Sequence, residues 1–154
     1  MTIRCRVLES GDAASYRELR LESLQLHPES YGSSYEDEQS KPELFFENQI
    51  RDKHSKNIMI GAFDNSVLVG LCGLISDELN QFLVVQMYVK EAYKGQGIGQ
   101  ALISEAKSLL IQYQRSRLVL AVYKHNKQAL NSYLRAGFQE ASRQDNEIVM
   151  YLAP

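Results

Sequence analysis

The sequence predicts an α/β (α+β) fold with a central mixed, mostly antiparallel sheet containing one parallel strand pair, flanked by about four helices. Three observations carry this expectation. Two apolar segments, 57–64 and 67–76, are joined by Asn65-Ser66, and a two-residue polar turn between strand-like runs reads as an antiparallel hairpin. From 81 to 122 a strand, a helix and a strand follow one another directly, and such a crossover makes a right-handed parallel unit. Ile98, Ala101, Leu102, Ala106, Leu109, Leu110 and Tyr113 recur at helical spacing, so that helix lays one apolar face on a sheet.

Taken in order, residues 2–7 alternate as a strand. A helix is expected from about Asp12, whose carboxylate can cap the first turn, to about Leu26. Pro, Gly and Ser then break the chain over 27–35. A second helix is expected to start at Ser40, where Ser40-Lys41-Pro42-Glu43 combines a capping box with a first-turn proline, and to run to about Lys53. The hairpin and a third strand over 81–89 form a meander, interrupted by the polar break 77–80. After the crossover helix comes a short strand, 118–122. The last helix, 126–136, ends at Gly137, where a left-handed residue is favoured. A closing hairpin is expected from 138–142 and 147–152, around Gln144-Asp145-Asn146. With no repeats, no low-complexity tract and three prolines, nothing divides the chain, and residues 1–154 are expected to be a single domain.

Composition narrows the function classes. The 17 basic and 19 acidic residues leave a formal net charge of -2, so there is no global field to gather nucleic acid. The longest like-charged cluster, Glu36-Asp37-Glu38, reads as a solvated face that would also draw a cationic acceptor. No run approaches the roughly 18 apolar residues of a membrane span, and the first residues lack the apolar core of a signal peptide. A cytoplasmic protein with no membrane partner is expected. Cys5 and Cys72 lack metal-site or disulfide spacing and are expected to be buried thiols. His27, His54 and His125 are read as surface histidines, with His125 nearest the candidate site.

The chemistry concentrates in Lys94-Gly95-Gln96-Gly97-Ile98-Gly99. A strand running into this turn and then into a helix gathers unpaired backbone N–H groups at the positive end of the helix dipole, which is an anion site. Glycine allows both positive φ and close approach of phosphate oxygens. The P-loop is excluded because Gly99 is followed by Gln100-Ala101 rather than Lys-Ser/Thr. The dinucleotide fingerprint fails in both frames, and the strand ending near Val122 offers no acid for a ribose.

The segment from Met87 to Leu102 resembles the pyrophosphate turn of the GNAT superfamily of N-acetyltransferases, Q/R-x-x-G-x-G/A after a valine-containing strand. Lys94 stands where that family usually has Gln or Arg, keeping the charge and losing the planar fork. A second motif, Asn126-x-x-Ala129-x-x-x-Tyr133-x-x-x-Gly137-Phe138, fits the family pattern at every marked place. The resemblance spans about 81–138, and the remaining elements follow in the family's order.

The resemblance implies a GNAT-like sheet and an acetyl-CoA-dependent N-acetyltransferase. The donor is acetyl-CoA as cosubstrate, with no metal, and the acetyl group passes to a primary amine of a small molecule or peptide by direct attack on the thioester. It implies that Tyr133 is catalytic, protonating the departing thiolate, a role typically contributing roughly 10²- to 10⁴-fold. It assigns coenzyme binding to Lys94, Gly95, Gln96, Gly97, Ile98 and Gly99, to the backbone of Met87 and Val89, and to Asn126. In that family the strand before the turn carries a bulge and splays from its parallel neighbour.

Several alternatives stay open. Gln86 cannot act as a base, so a water chain or a residue such as Glu36 or Glu38 would remove the proton. Acceptor choice is expected in the 24–35 segment and the hairpins, with Tyr31, Tyr35 and Tyr88 as an aromatic wall. A non-catalytic acyl-CoA-binding regulatory module of the same fold is the alternative function, and nucleotide binding at the glycine turn is a third. A homodimer is compatible with the resemblance.

Overall fold

The computed structural model of the protein describes residues 2–154. Met1, the first residue of the expected 1–154 domain, lies outside the described residues. The chain runs β1 (Ile3–Val7), α1 (Ala13–Leu26), α2 (Tyr35–Gln39), α3 (Phe45–Arg51), β2 (Ile58–Asp64), β3 (Val67–Ser76), β4 (Phe82–Val89), α4 (Ile98–Gln112), β5 (Leu118–Tyr123), α5 (Lys127–Arg135), β6 (Gln139–Arg143) and β7 (Glu147–Leu152). Among the described residues the strands form one sheet in the order β1-β2-β3-β4-β5-β7-β6. Only β4 and β5 in it are parallel; every other neighbouring pair is antiparallel. The expected mixed sheet is therefore present.

Side-chain alternation gives the sheet two apolar faces. On one, Ile58, Ile60 and Ala62 of β2 join Phe82 and Val84 of β4 against Leu102, Ala106 and Leu110 of α4, while Ala129, Leu130 and Tyr133 of α5 pack at its margin. On the other, Met59 of β2, Leu71 of β3 and Tyr88 of β4 meet Tyr16 and Leu19 of α1 and Phe46 of α3. The helices over 13–51 and those over 98–135 thus cover opposite faces. No helix among the described residues is long and apolar enough to cross a membrane.

Three local expectations need correction. The helix placed at 40–53 starts instead at Phe45, and Ser40 ends the short helix α2 that forms over the acidic cluster. The side chain that caps α3 is Glu47, whose Oε1 accepts the Leu44 N–H at 2.7 Å and Arg17 Nη1 at 2.6 Å. Glu47 displaces the Ser40–Glu43 box because its carboxylate finds a partly buried cation as well as a free N–H. Asp12 does not cap α1; its carboxylate turns back to Arg6 at 2.8 Å and to the Glu9 N–H at 2.7 Å. Cys72 is buried as expected, whereas Cys5 is only partly buried.

Candidate functional site

The parallel contact that creates the site is short. β4 and β5 pair only as Phe82↔Leu118 and Leu83↔Val119, so beyond Leu83 the two strands diverge and leave facing backbone edges unpaired. On its other side β4 stays paired with β3, but the register shifts between Leu71 and Gly73. Gln86 takes a left-handed φ of 56° at this bulge, a conformation that costs a non-glycine residue of order 1 kcal/mol and persists only where neighbours enforce it. One such neighbour is Tyr16, fully buried on α1, whose hydroxyl donates to Gln86 Oε1 at 2.6 Å.

Past the bulge, the Lys90 N–H is given to Val69 O on β3 at 2.9 Å. Because alternate residues of a strand present their polar groups to alternate edges, Val89 and Met87 turn theirs toward the gap between β4 and β5. Met87 O is met there by the Tyr31 hydroxyl, which donates at 2.7 Å. Tyr31 comes from the loop after α1, and burial pushes its hydroxyl up to about 12. That loop borders a cavity of about 400 Å³ whose walls include Leu24, Tyr31, Gly32, Tyr35 and Glu36. The expected acceptor segment therefore does border a pocket. Tyr88 does not belong to its wall, because it is buried beneath α1 with its hydroxyl donating to Glu22 at 2.9 Å.

The glycine turn follows β4 as the sequence predicts. Gly95 and Gly97 take φ of 78° and 79°, and a Cβ added at Gly95, Gly97 or Gly99 would meet nothing within 4 Å. The first N–H of this segment to close a helical bond is that of Ala101, to Gly97 O at 3.0 Å. Those of Ile98, Gly99 and Gln100 have no intrahelical partner. Open space over unpaired donors at a helix start is what an anionic group needs. Lys94 stands beside the turn with its ammonium 2.9 Å from Glu91 Oε1, and this partner draws the Glu91 carboxyl below its ordinary value. His27 Nε2 is also 2.9 Å from Glu91 Oε1, at an angle too poor for a hydrogen bond. Glu91 thereby places His27, read from the sequence as a surface residue, near the turn. His125 stacks on Tyr123 with ring centroids 5.5 Å apart, and His54 is exposed.

The second motif forms α5. Asn126 caps it, its Oδ1 accepting the Ala129 N–H at 3.2 Å, so only its amide nitrogen is left for a coenzyme. Tyr133 packs edge-on against Phe138, 5.6 Å between ring centroids. The residue is partly exposed, and burial, reinforced by Cys72 and Tyr31, raises its hydroxyl well above its ordinary value. Among the described residues this hydroxyl makes no hydrogen bond. Gln100, which served in the sequence only to exclude a P-loop, bridges the two motifs by donating to Ser132 O at 2.9 Å. No spacing rule could reveal that contact, since it joins helices 32 residues apart.

Of the two candidate bases, Glu38 is paired with Lys41 at 3.2 Å, while Glu36 lies on the cavity wall. The glycine turn thus follows the strand that carries Met87 and Val89, Gln100 ties its helix to the one that Asn126 caps and that bears Tyr133, and Tyr31 links Met87 to a loop-bounded cavity.

Comparison with known proteins agrees with this architecture. Residues 18–138 match the model of the acetyltransferase (GNAT) family, and the chain belongs to that family. It is 24% identical over 156 residues to a spermidine N(1)-acetyltransferase of Thermoplasma acidophilum, covering 97% of this chain and 96% of that protein. In fold it superposes on the PaiA N-acetyltransferase of the same organism, solved in complex with coenzyme A, with a TM-score of 0.84 at 22% identity over 100% of both chains. A GNAT-family acetyltransferase from Streptococcus pneumoniae gives a TM-score of 0.77 at 18% identity over 99% of this chain and 100% of that one.

Proposed function

We propose that the chain, acting as a single domain in the cytoplasm, transfers the acetyl group of acetyl-CoA to a primary amine of a small molecule or peptide. The observation that carries this reading is the clamp by Gln100 between two helices that each offer a group with no hydrogen-bond partner among the described residues, the N–H donors at the start of α4 and the Tyr133 hydroxyl on α5. The unpaired donors and the open space above Gly95, Gly97 and Gly99 fit a pyrophosphate, and the PaiA relative was solved with coenzyme A. Acetyl-CoA supplies the activated thioester.

The residues here would do the rest. Residues 94–99 hold the pyrophosphate, with the Asn126 amide nitrogen and the backbone N–H groups of Met87 and Val89 on the pantetheine and acyl parts. Such preorganised donors stabilise charge that develops on the carbonyl oxygen. A neutral amine attacks the thioester carbon, the new C–N bond forms, the C–S bond breaks, and Tyr133 gives its proton to the departing sulfur. Water carries away the amine proton and restores that of Tyr133.

Tyr133→Phe tests the assignment. Turnover in a thiol-release assay falls at least tenfold, in keeping with the roughly 10²- to 10⁴-fold typical of acid–base catalysis, while acetyl-CoA affinity measured by calorimetry is nearly unchanged. Equal turnover would remove Tyr133 from the chemistry. Spermidine belongs in the first amine panel, because it names the acceptor of the relative from Thermoplasma acidophilum.

A further inference from the structure

Arg20 is 5% exposed, and its Nη1 is buried with no hydrogen-bond partner among the described residues. Among the described residues no carboxylate lies within ion-pair distance of it, although Lys and Arg side chains form eight such pairs elsewhere. Its guanidinium stacks over the Tyr31 ring at 5.0 Å. Burial pulls the guanidinium below its ordinary value, opposed by Tyr16, Tyr31 and Glu38. Glu38, the acid that opposes this shift, pairs with Lys41 at 3.2 Å. A buried charge without a partner is expensive to keep, and an unmet guanidinium is suited to a planar or tetrahedral oxyanion, which its fork can bind with two parallel hydrogen bonds.

Its position on α1 says which molecule could supply that anion. Tyr16, Arg20 and Leu24 are spaced by four and so share one face of the helix. Tyr16 holds the β4 bulge through Gln86, and Leu24 is part of the cavity wall. Arg20 lies between them, one helical turn from each and behind the cavity wall, against the tyrosine that both borders the cavity and bonds Met87 O. Glu36, on the cavity wall, supplies the opposite charge for an ammonium group. The cavity volume of about 400 Å³ is in the range of small-ligand sites, roughly 300–1,000 Å³.

We infer that Arg20 is a specificity-determining residue that binds an oxyanion on the acceptor, so that the preferred acceptor is a small amine that also carries a carboxylate, as an amino acid does. This rests on the acetyltransferase reading above. It separates the chain from its polyamine-acetylating relative, since a polyamine offers Arg20 only repulsion.

Matched acceptors test this on the wild-type protein. Thiol release is measured with lysine against its decarboxylated counterpart 1,5-diaminopentane, and with O-phosphoethanolamine against ethanolamine, which distinguishes a carboxylate from a phosphate. The expected result is a kcat/KM at least tenfold higher for the carboxylate-bearing member of the first pair. Arg20→Gln should collapse that preference to within about threefold by raising KM for lysine alone. Arg20→Lys, which keeps the charge, should retain part of it.

Four outcomes overturn the inference. Equal or better use of 1,5-diaminopentane by the wild type removes the subsite and leaves the acetyltransferase reading intact. A preference confined to the phosphate pair replaces the carboxylate with a phosphate. An Arg20→Gln variant that loses activity equally on both members assigns Arg20 to structure. Absence of thiol release with every amine tested, despite measured acetyl-CoA binding, overturns the transferase reading and this inference together.

Discussion

The side-chain amide of Gln100 donates to Ser132 O at 2.9 Å and approaches Ser132 Oγ at 3.3 Å, joining the helix behind the glycine turn to the helix that bears Tyr133. The clamp ties the N–H groups at the start of α4 to the helix that carries the tyrosine hydroxyl. Gln100→Ala removes about 1 kcal/mol of net hydrogen bonding. At roughly 2–4 °C per kcal/mol for a domain of this size, the melting temperature should fall by about 3 °C. Because misplaced groups lose disproportionate rate, kcat/KM for acetyl-CoA should fall further than stability suggests, by about threefold to tenfold. A melt paired with steady-state kinetics checks both values.

The glycines of the turn separate backbone strain from ligand space. Gly97 has φ 79°, and forcing an L-residue into that region costs about 1–2 kcal/mol. Gly97→Ala should therefore lower stability and coenzyme affinity together. Gly99 lies inside α4 without a positive φ, in open space. There alanine is the better helix former by up to about 1 kcal/mol. Gly99→Ala should leave the melting temperature unchanged or raise it, yet weaken acetyl-CoA binding at least tenfold, because its methyl group occupies space a phosphate would use. Calorimetry and thermal melts on the two variants read these opposite signs.

Much of the fold was legible because period and punctuation agree in the second half of the chain. The Asn65-Ser66 turn, the glycine turn and Gly137 each force one backbone geometry, and β2 to α5 follow within a residue or two of the expected bounds. The first half obeys tertiary contacts instead. Ser40-Lys41-Pro42-Glu43 satisfies every local rule for a helix start, but Glu47 wins because Arg17 from α1 reaches it, and that pairing depends on a fold the local sequence does not encode. For the site, the motif positions were readable. The connections Gln100–Ser132, Tyr16–Gln86 and Tyr31–Met87 were not, since each joins residues 32 to 70 positions apart.

Glu47 is also the most consequential carboxylate in the first half. It is 5% exposed, caps Leu44 and pairs with Arg17, whose Nη2 also reaches Gln39 O at 3.1 Å and Lys41 O at 2.8 Å. Removing one partner of a buried pair costs about 3–5 kcal/mol. The partial exposure of Arg17 discounts this, so Glu47→Ala should cost about 3 kcal/mol and lower the melting temperature by about 6–12 °C. Glu47→Gln keeps an acceptor for the Leu44 N–H and should lose about half as much. Equal losses would mean that the charge, and not the cap, is what matters at this position.

Alkaline stability follows from the buried acids of the core. Burial pushes the Cys72 thiol from an ordinary 9.0 up to about 12, the Tyr31 hydroxyl from 10.0 up to about 12, and those of Tyr16 and Tyr133 well above 10.0. Below the ordinary values, folded and unfolded chains both hold these protons, and the groups give stability no slope with pH. Above them the unfolded chain releases protons that the folded chain keeps, so stability falls by up to about 1.4 kcal/mol per pH unit for each group. The melting temperature should show little contribution from these groups between pH 7 and about pH 8, decline toward and beyond pH 9 as unfolded Cys72 and Cys5 ionise, and steepen beyond about pH 10 as the tyrosines follow. Cys72→Ala should make the decline between about pH 9 and pH 10 shallower without abolishing it, because burial also raises the Cys5 thiol above its ordinary 9.0, and an unchanged slope would place its cause elsewhere. Over the same range Tyr133 keeps its proton in the folded state. Turnover should therefore show no alkaline loss from that group near its ordinary value of 10.0, and a titration of kcat in the window where the protein remains folded measures it.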